Sequence, residues 1–151
     1  MRLAALTTVF CLVASSLPGK ISSDIPYGLW LTENQRAIIE IAPCQGRTCG
    51  RIVWMANPYE TDGTPKRDVN NPDTGMRDRP LCGLTLIGDL IPDTAGESLT
   101  GFVYNPRNGK KYGALVSSLT DDMLEMRGFV GLSIFGKSQT WKRVMDRRNG
   151  C

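Results

Sequence analysis

The sequence predicts an all-β protein: one antiparallel, up-and-down barrel of eight strands. Three observations point there. Short runs rich in β-branched and aromatic residues recur through residues 27–144, at spacings near the roughly 8–12 residues of all-β folds. The chain of 151 residues carries 16 glycines and 9 prolines, which favours frequent turns over long helices. No apolar pattern with a 3.6-residue period outlasts two turns.

Met1–Arg2 supplies one positive charge, Leu3 to Ala14 is uncharged, and Ala14-Ser15-Ser16 offers small residues for cleavage. This is the three-part pattern of a secretory signal peptide. The uncharged run is shorter than the roughly 20 residues a membrane-spanning helix needs. Residues 1–16 are therefore expected to be a signal peptide, and 17–151 a single domain delivered to the periplasm or secreted.

Eight strands are expected in order. Tyr27 to Thr32 opens the domain, Ala37 to Ala42 follows, and Arg51 to Met55 comes after a turn spanning Cys44 to Gly50. Leu84 to Ile91, Leu99 to Tyr104, Lys111 to Ser118, Met123 to Phe129 and Ser138 to Val144 complete the series. Asn108-Gly109 is the strongest hairpin signal, since a type I′ turn needs positive φ at both central residues. Asp121-Asp122 and Ala95-Gly96 mark two further turns. In Leu124-Glu125-Met126-Arg127 the apolar residues share one face and the charged residues the other, so one side of the sheet is wet. Eight such strands remove their edges by closing. The interior of such a barrel is either filled by side chains or holds one small ligand.

Met55 to Pro80 interrupts the strands with Asp68, Asn70, Asn71, Asp73, Arg77 and Arg79 among its polar residues. Loops of this length in a compact domain are usually functional or disordered. Calcium is one ligand for such oxygens, but counting from Asp68 the EF-hand positions 5, 6 and 12 hold Pro72, Asp73 and Arg79, so that motif fails. The preferred reading pairs Asp68 and Asp73 with Arg77 and Arg79 as exposed ion pairs that pin the loop over a barrel mouth. Two carboxylates can also do acid–base work, which keeps a hydrolase built on Asp68 and Asp73 as an alternative.

The chain has no histidine. That excludes Ser-His-Asp and Cys-His catalysis and histidine metal sites. A net charge of +3 is too mild to argue for nucleic acid. Gly131 to Ser138 matches the P-loop pattern letter for letter, but only thirteen residues follow and no parallel α/β unit fits there. It reads as a glycine-rich turn into the last strand. Gly28 and Trp30 lie on the first strand, Trp141 and Arg143 on the last. These are neighbours in a closed barrel, so an arginine over a tryptophan is expected to close one end.

Once Cys11 leaves with the signal peptide, Cys44, Cys49, Cys82 and Cys151 remain. Four cysteines in an exported protein suggest disulfides and allow three pairings. A local clip from Cys44 to Cys49 would leave Cys82 and Cys151 to pair, tying the C-terminus to the middle of the chain.

Several short motifs occur in order: Gly28-Leu29-Trp30-Leu31-Thr32, Cys44 to Cys49-Gly50-Arg51-Ile52, Asp68 through Asn71-Pro72, and Arg79-Pro80-Leu81 before Gly83-Leu84. Tyr104-Asn105-Pro106, Gly109-Lys110-Lys111-Tyr112, Arg127-Gly128 and Gln139-Thr140-Trp141-Lys142-Arg143 follow. Through them the chain resembles the bacterial exported family catalogued as domain of unknown function 2147, whose structural relatives look lipocalin-like. The resemblance covers nearly all of the domain. It implies a lipocalin- or calycin-like barrel in the periplasm or beyond, and no particular ligand or reaction. The family often has a cysteine where this chain has Phe129, which leaves the Cys82–Cys151 pairing open.

The expected function is that of an exported binding protein holding a small, mostly apolar or amphipathic molecule inside the barrel. Trp54, Phe102, Tyr104 and Tyr112 are expected to line or rim it, and Asp68, Asn71, Arg77 and Arg79 to shape the lid. No catalytic set, metal or cofactor is expected, nor any nucleic-acid partner or membrane span. The main alternative is a filled barrel that meets an envelope protein through the loop at residues 56–80.

Overall fold

The computed structural model describes residues 25–149 and 151; the expected signal peptide and its cleavage site lie outside them. The strands are β1 (Gly28–Leu31), β2 (Ala37–Cys44), β3 (Arg47–Met55), β4 (Thr85–Pro92), β5 (Leu99–Asn105), β6 (Lys110–Thr120), β7 (Met123–Phe129) and β8 (Lys137–Val144). Each pairs antiparallel with the next, and β8 returns to β1 through Leu29↔Val144, Trp30↔Arg143 and Leu31↔Lys142, so the sheet is a closed barrel. The expected fold class is the one observed.

Two turns differ from expectation. β2 and β3 run on through most of the stretch expected as a turn, and only Gln45 and Gly46, with φ of 46° and 79°, connect them. Both central residues have the positive φ of the tight hairpin turns that match strand twist. Cys44 and Cys49 are bonded across this hairpin, and Cys82 is bonded to Cys151. At Asn108-Gly109 only Gly109 has positive φ, 66°. Pro106 is the reason: its fixed φ suits the second position of a type I turn. The Asn105 carbonyl then accepts from both Asn108 N and Gly109 N. The P-loop-like segment is a turn between β7 and β8 containing a short 3-10 helix, Ser133–Phe135.

The core follows from strand alternation. Trp30, Ile39, Ile41, Ile52, Ile87, Leu99, Ala114, Val116, Leu124, Met126 and Trp141 are buried in one cluster. One end of the barrel is sealed by Trp30, which is fully buried and donates from Nε1 to the Pro26 carbonyl. Arg143 lies 4.3 Å over its ring. The same guanidinium donates to the carbonyls of Tyr27 and Asp121. Gly28, at φ 128°, leaves room for it: a Cβ there would stand 2.6 Å from Arg143 Nη1.

Candidate functional site

At the opposite end inward-facing residues are more exposed. Register fixes which residues face inward: Leu99, Gly101 and Val103 on β5 pair with Val116, Ala114 and Tyr112 on β6. Leu124, Met126 and Gly128 on β7 pair with Trp141, Gln139 and Lys137 on β8. Followed away from the sealed end, these rows lose burial. Leu99, Val116, Leu124 and Trp141 are buried; Val103, Tyr112 and Gly128 are half-buried; Gln139 and Lys137 are exposed. An inward-facing side chain that still meets water marks an open mouth. Tyr112 is tethered at the rim, its Oη accepting from Asn108 Nδ2 at 2.8 Å. Deeper in, Trp141 Nε1 donates to Gln139 Oε1 at 3.1 Å. The mouth therefore offers apolar walls and a few fixed polar atoms, the composition of small-molecule sites.

Of the four residues expected to line or rim the interior, Tyr112 faces inward and three do not. Phe102 and Tyr104 alternate with Gly101 and Val103, so they share the outer face with Lys111 and Gly113. Phe102 lies across Gly88, where a Cβ would meet its ring at 2.4 Å, and Lys111 Nζ sits 4.4 Å over the same ring. Trp54 is turned outward by a bulge. Ile39 pairs with Ile52 but Ile38 pairs with Trp54, so Val53 is the extra residue and the alternation flips. Trp54 is covered from outside by Arg148, 4.7 Å from its ring. Arg147 binds Glu40 on the same outer surface, which also carries Arg51. The C-terminal segment thus straps the wall of β2 and β3 on its way to Cys82.

The long loop is anchored on the outer face of β5 and on the β5–β6 hairpin, and its end, Leu81 and Leu84, packs against the core. Its anchor is Asp68, which is not an exposed partner as expected but fully buried. Oδ1 accepts from Tyr104 Oη at 2.7 Å. Oδ2 accepts from Asn71 Nδ2 at 2.7 Å and from Arg79 Nε and Nη2 at 3.0 and 2.8 Å. Burial pushes the carboxyl up, but these hydrogen bonds and the Arg79 charge outweigh it and hold Asp68 below the usual carboxylate range. Burial, with the hydrogen bond and charge of Asp68, raises Tyr104 above the usual phenol range. Arg77 does not pair with Asp73. It donates to the Asn71 carbonyl, and Asp73 caps Gly75 N. Asn70 extends the anchor to the β5–β6 hairpin, donating to the carbonyls of Pro106 and Arg107.

Between loop and wall is an open cleft of about 500 Å³, with Pro72, Met76, Phe102 and Tyr104 as its apolar side and Arg79 and Lys111 as its cations. Asp68 is sequestered beneath Tyr104 with both oxygens engaged, so the two carboxylates weighed for hydrolysis are not presented together. Among the described residues no group of three or more metal-ligating side chains converges, and no helix is long and apolar enough to cross a membrane. Gln139 and Gly128 were missed as mouth residues. The alternation of Leu124 and Met126 carries on to Gly128, but Gln139 is found only through the β7–β8 register.

A family model described as an uncharacterised protein conserved in bacteria, DUF2147, matches residues 28–143. Among solved structures, the chain is similar to HP1028 from the human pathogen Helicobacter pylori, described as belonging to the lipocalin family. The two are 26% identical with a TM-score of 0.66, over 81% of this chain and 84% of that one. No curated protein matches the chain.

Proposed function

The chain belongs to the bacterial DUF2147 family, and from that premise we propose that it is an exported protein that binds one small, mostly apolar molecule in the open half of its barrel. The observation that carries this reading is the loss of burial along inward-facing positions, from Leu124 and Trp141 at the sealed end to Tyr112, Gly128 and Gln139 at the mouth. A barrel of eight strands can hold one small ligand where side chains do not fill it, and a solved neighbour is described as belonging to the lipocalin family. Tyr112, Val103 and Met126 would supply the apolar contact; Gln139 and the Tyr112 hydroxyl would orient a polar end. Two disulfides fit an oxidising compartment, the periplasm or the exterior.

The test is native mass spectrometry on protein purified without reductant, before and after incubation with lipid extract. A bound mass lost on denaturation is expected. Gly128→Leu should weaken it roughly tenfold or more, because an inward side chain there fills apolar space the ligand would use. A clean unliganded mass after incubation refutes the reading. An unchanged bound mass in Gly128→Leu places the ligand elsewhere, with the outer cleft the next site to test. The loop supports a second reading, contact with an envelope protein, through its exposed Tyr59, Val69 and Met76. That reading predicts that Tyr59→Ser and Val69→Ser abolish capture of a specific partner and leave any bound mass intact.

A further inference from the structure

The turn between β7 and β8, at the open end of the barrel, carries four large apolar side chains in six residues. Val130, Leu132, Ile134 and Phe135 are 72%, 65%, 71% and 76% exposed. Single exposed apolar residues are ordinary, but a contiguous group marks a surface that meets something apolar. The turn is built to hold them out. Arg127 donates from Nε to the Ser133 carbonyl at 2.7 Å, from Nη2 to the Ile134 carbonyl at 3.1 Å and from Nη1 to Ser138 Oγ at 2.9 Å. Gly136 packs so closely on β7 that a Cβ would stand 2.8 Å from the Gly128 carbonyl. One buttressing arginine and one close approach thus fix the backbone beneath the exposed side chains.

Charge indicates the occupant. Lys137 follows the turn directly, Lys110 and Lys111 begin the neighbouring strand β6, and Arg107 tips the adjacent hairpin; all four are exposed. None of them is in an ion pair among the described residues. At the sealed end the turns bear Asp93, Glu97, Asp121 and Asp122, but Arg47, paired with Asp89 of β4, and Arg143 offset part of that charge. The long loop, with five acids and four bases in residues 56–84, is near balance. The mouth is therefore apolar and cationic, since Glu33 and Arg36 of the β1–β2 turn offset each other there. Amphipathic surfaces bind membranes through buried apolar area plus attraction to anionic headgroups.

We propose that the Val130–Phe135 turn is a docking tip that inserts into an anionic lipid surface, with Lys110, Lys111, Lys137 and Arg107 on the phosphates and the barrel mouth set against the bilayer. The docking goes beyond the binding reading and does not require an occupied interior.

The test is co-sedimentation with vesicles of phosphatidylcholine alone or with about a third phosphatidylglycerol. The anionic vesicles should bind the protein roughly tenfold more strongly, less so at high salt. Ile134→Ser with Phe135→Ser should weaken binding roughly tenfold or more while leaving the thermal midpoint unchanged, since both side chains are exposed. Phe135→Trp should blue-shift its emission on adding vesicles. Protein that shows a clean unliganded mass should bind vesicles as strongly as liganded protein, so failure of the ligand reading and failure of docking are read separately. Equal binding to both vesicle types, or full binding by the double serine variant, overturns the proposal. So does a Phe135→Trp blue shift that follows protein concentration without vesicles, because then a second copy of the chain covers the turn.

Discussion

Replacing Asp68 with alanine removes the acceptor at the centre of the loop anchor. Four hydrogen bonds end on this carboxylate, from Tyr104, Asn71 and twice from Arg79. Breaking a buried ion pair by deleting one partner costs about 3–5 kcal/mol. Arg79 keeps 37% of its side chain exposed while Asp68 has none, so water can recover part of the loss, and the expected cost is near the lower end, about 3 kcal/mol. Tyr104→Phe deletes one charge-assisted bond and should cost about 1.5 kcal/mol. The two should couple by about 1 kcal/mol, because without Asp68 the phenol has nothing to donate to. Urea unfolding with both disulfides intact reads each value. The pH dependence has a fixed sign. The folded carboxyl lies below its ordinary 3.8, so its contribution is complete above that value and is lost as pH falls below it through the lower folded value. Wild type and Asp68→Asn should therefore converge in stability in acid and diverge above it. An Asp68→Ala midpoint within about 0.5 kcal/mol of wild type, or parallel acid profiles for wild type and Asp68→Asn, would refute the assignment of loop anchoring to this network.

Removing the second disulfide with Cys82→Ser and Cys151→Ser opens a loop with a sequence separation of 69, and should cost about 4 kcal/mol in the chain-entropy model. The same variant should red-shift Trp54 emission as Arg148 leaves its ring; unchanged emission would mean that the strap holds without its bond. Gly109→Ala meets both a φ of 66° and the Asn70 carbonyl at 1.9 Å, so it should cost roughly 2 kcal/mol or more. Gly96→Ala, with φ 69° and nothing within 4 Å, should cost about 1 kcal/mol, and equal midpoints for the two would show that the loop yields freely. Arg143→Ala loses the contact over Trp30 and two carbonyl bonds at the sealed end, an expected 1–2 kcal/mol or about that by urea midpoint.

Local signals carried most of the barrel. The β-branched runs and glycine turns placed all eight strands, with β7 matching to the residue, because each is written in contiguous sequence. The interior was harder to read. Whether Trp54 faces in or out depends on one extra residue at Val53 opposite Ile38 and Ile39, and a bulge leaves no reliable mark in one strand alone. Phe102 and Tyr104 look like interior aromatics until the β5–β6 register pairs Val103, not Tyr104, with Tyr112. Asp68 was legible as a partner of Arg79. Its burial was not, since burial depends on Tyr104, 36 residues away, donating across the loop. In sequence, Gly131 to Ser138 shows only a phosphate-loop pattern; the exposure of Val130, Leu132, Ile134 and Phe135 is a property of the fold.

The long loop consists of two parts with different obligations. Residues 67–81 are tied to the barrel through Asp68 with Tyr104 and through Asn70 with the Pro106 and Arg107 carbonyls, and to one another through the Arg67↔Pro80 bridge. Residues 58–65 bond among themselves and to Lys66: Tyr59 bridges Pro65, Glu60 N donates to the Thr64 carbonyl, Lys66 N to that of Pro58, and Asp62 caps Thr64, while the Lys66 carbonyl accepts from Leu81 N and joins the hairpin to the rest of the loop. This small hairpin can be lengthened, nicked or replaced without disturbing a single bond to the wall. A peptide tag or protease site spliced between Asp62 and Gly63 should leave the thermal midpoint where it was. The same tip is where this architecture can acquire new recognition while its barrel stays the same.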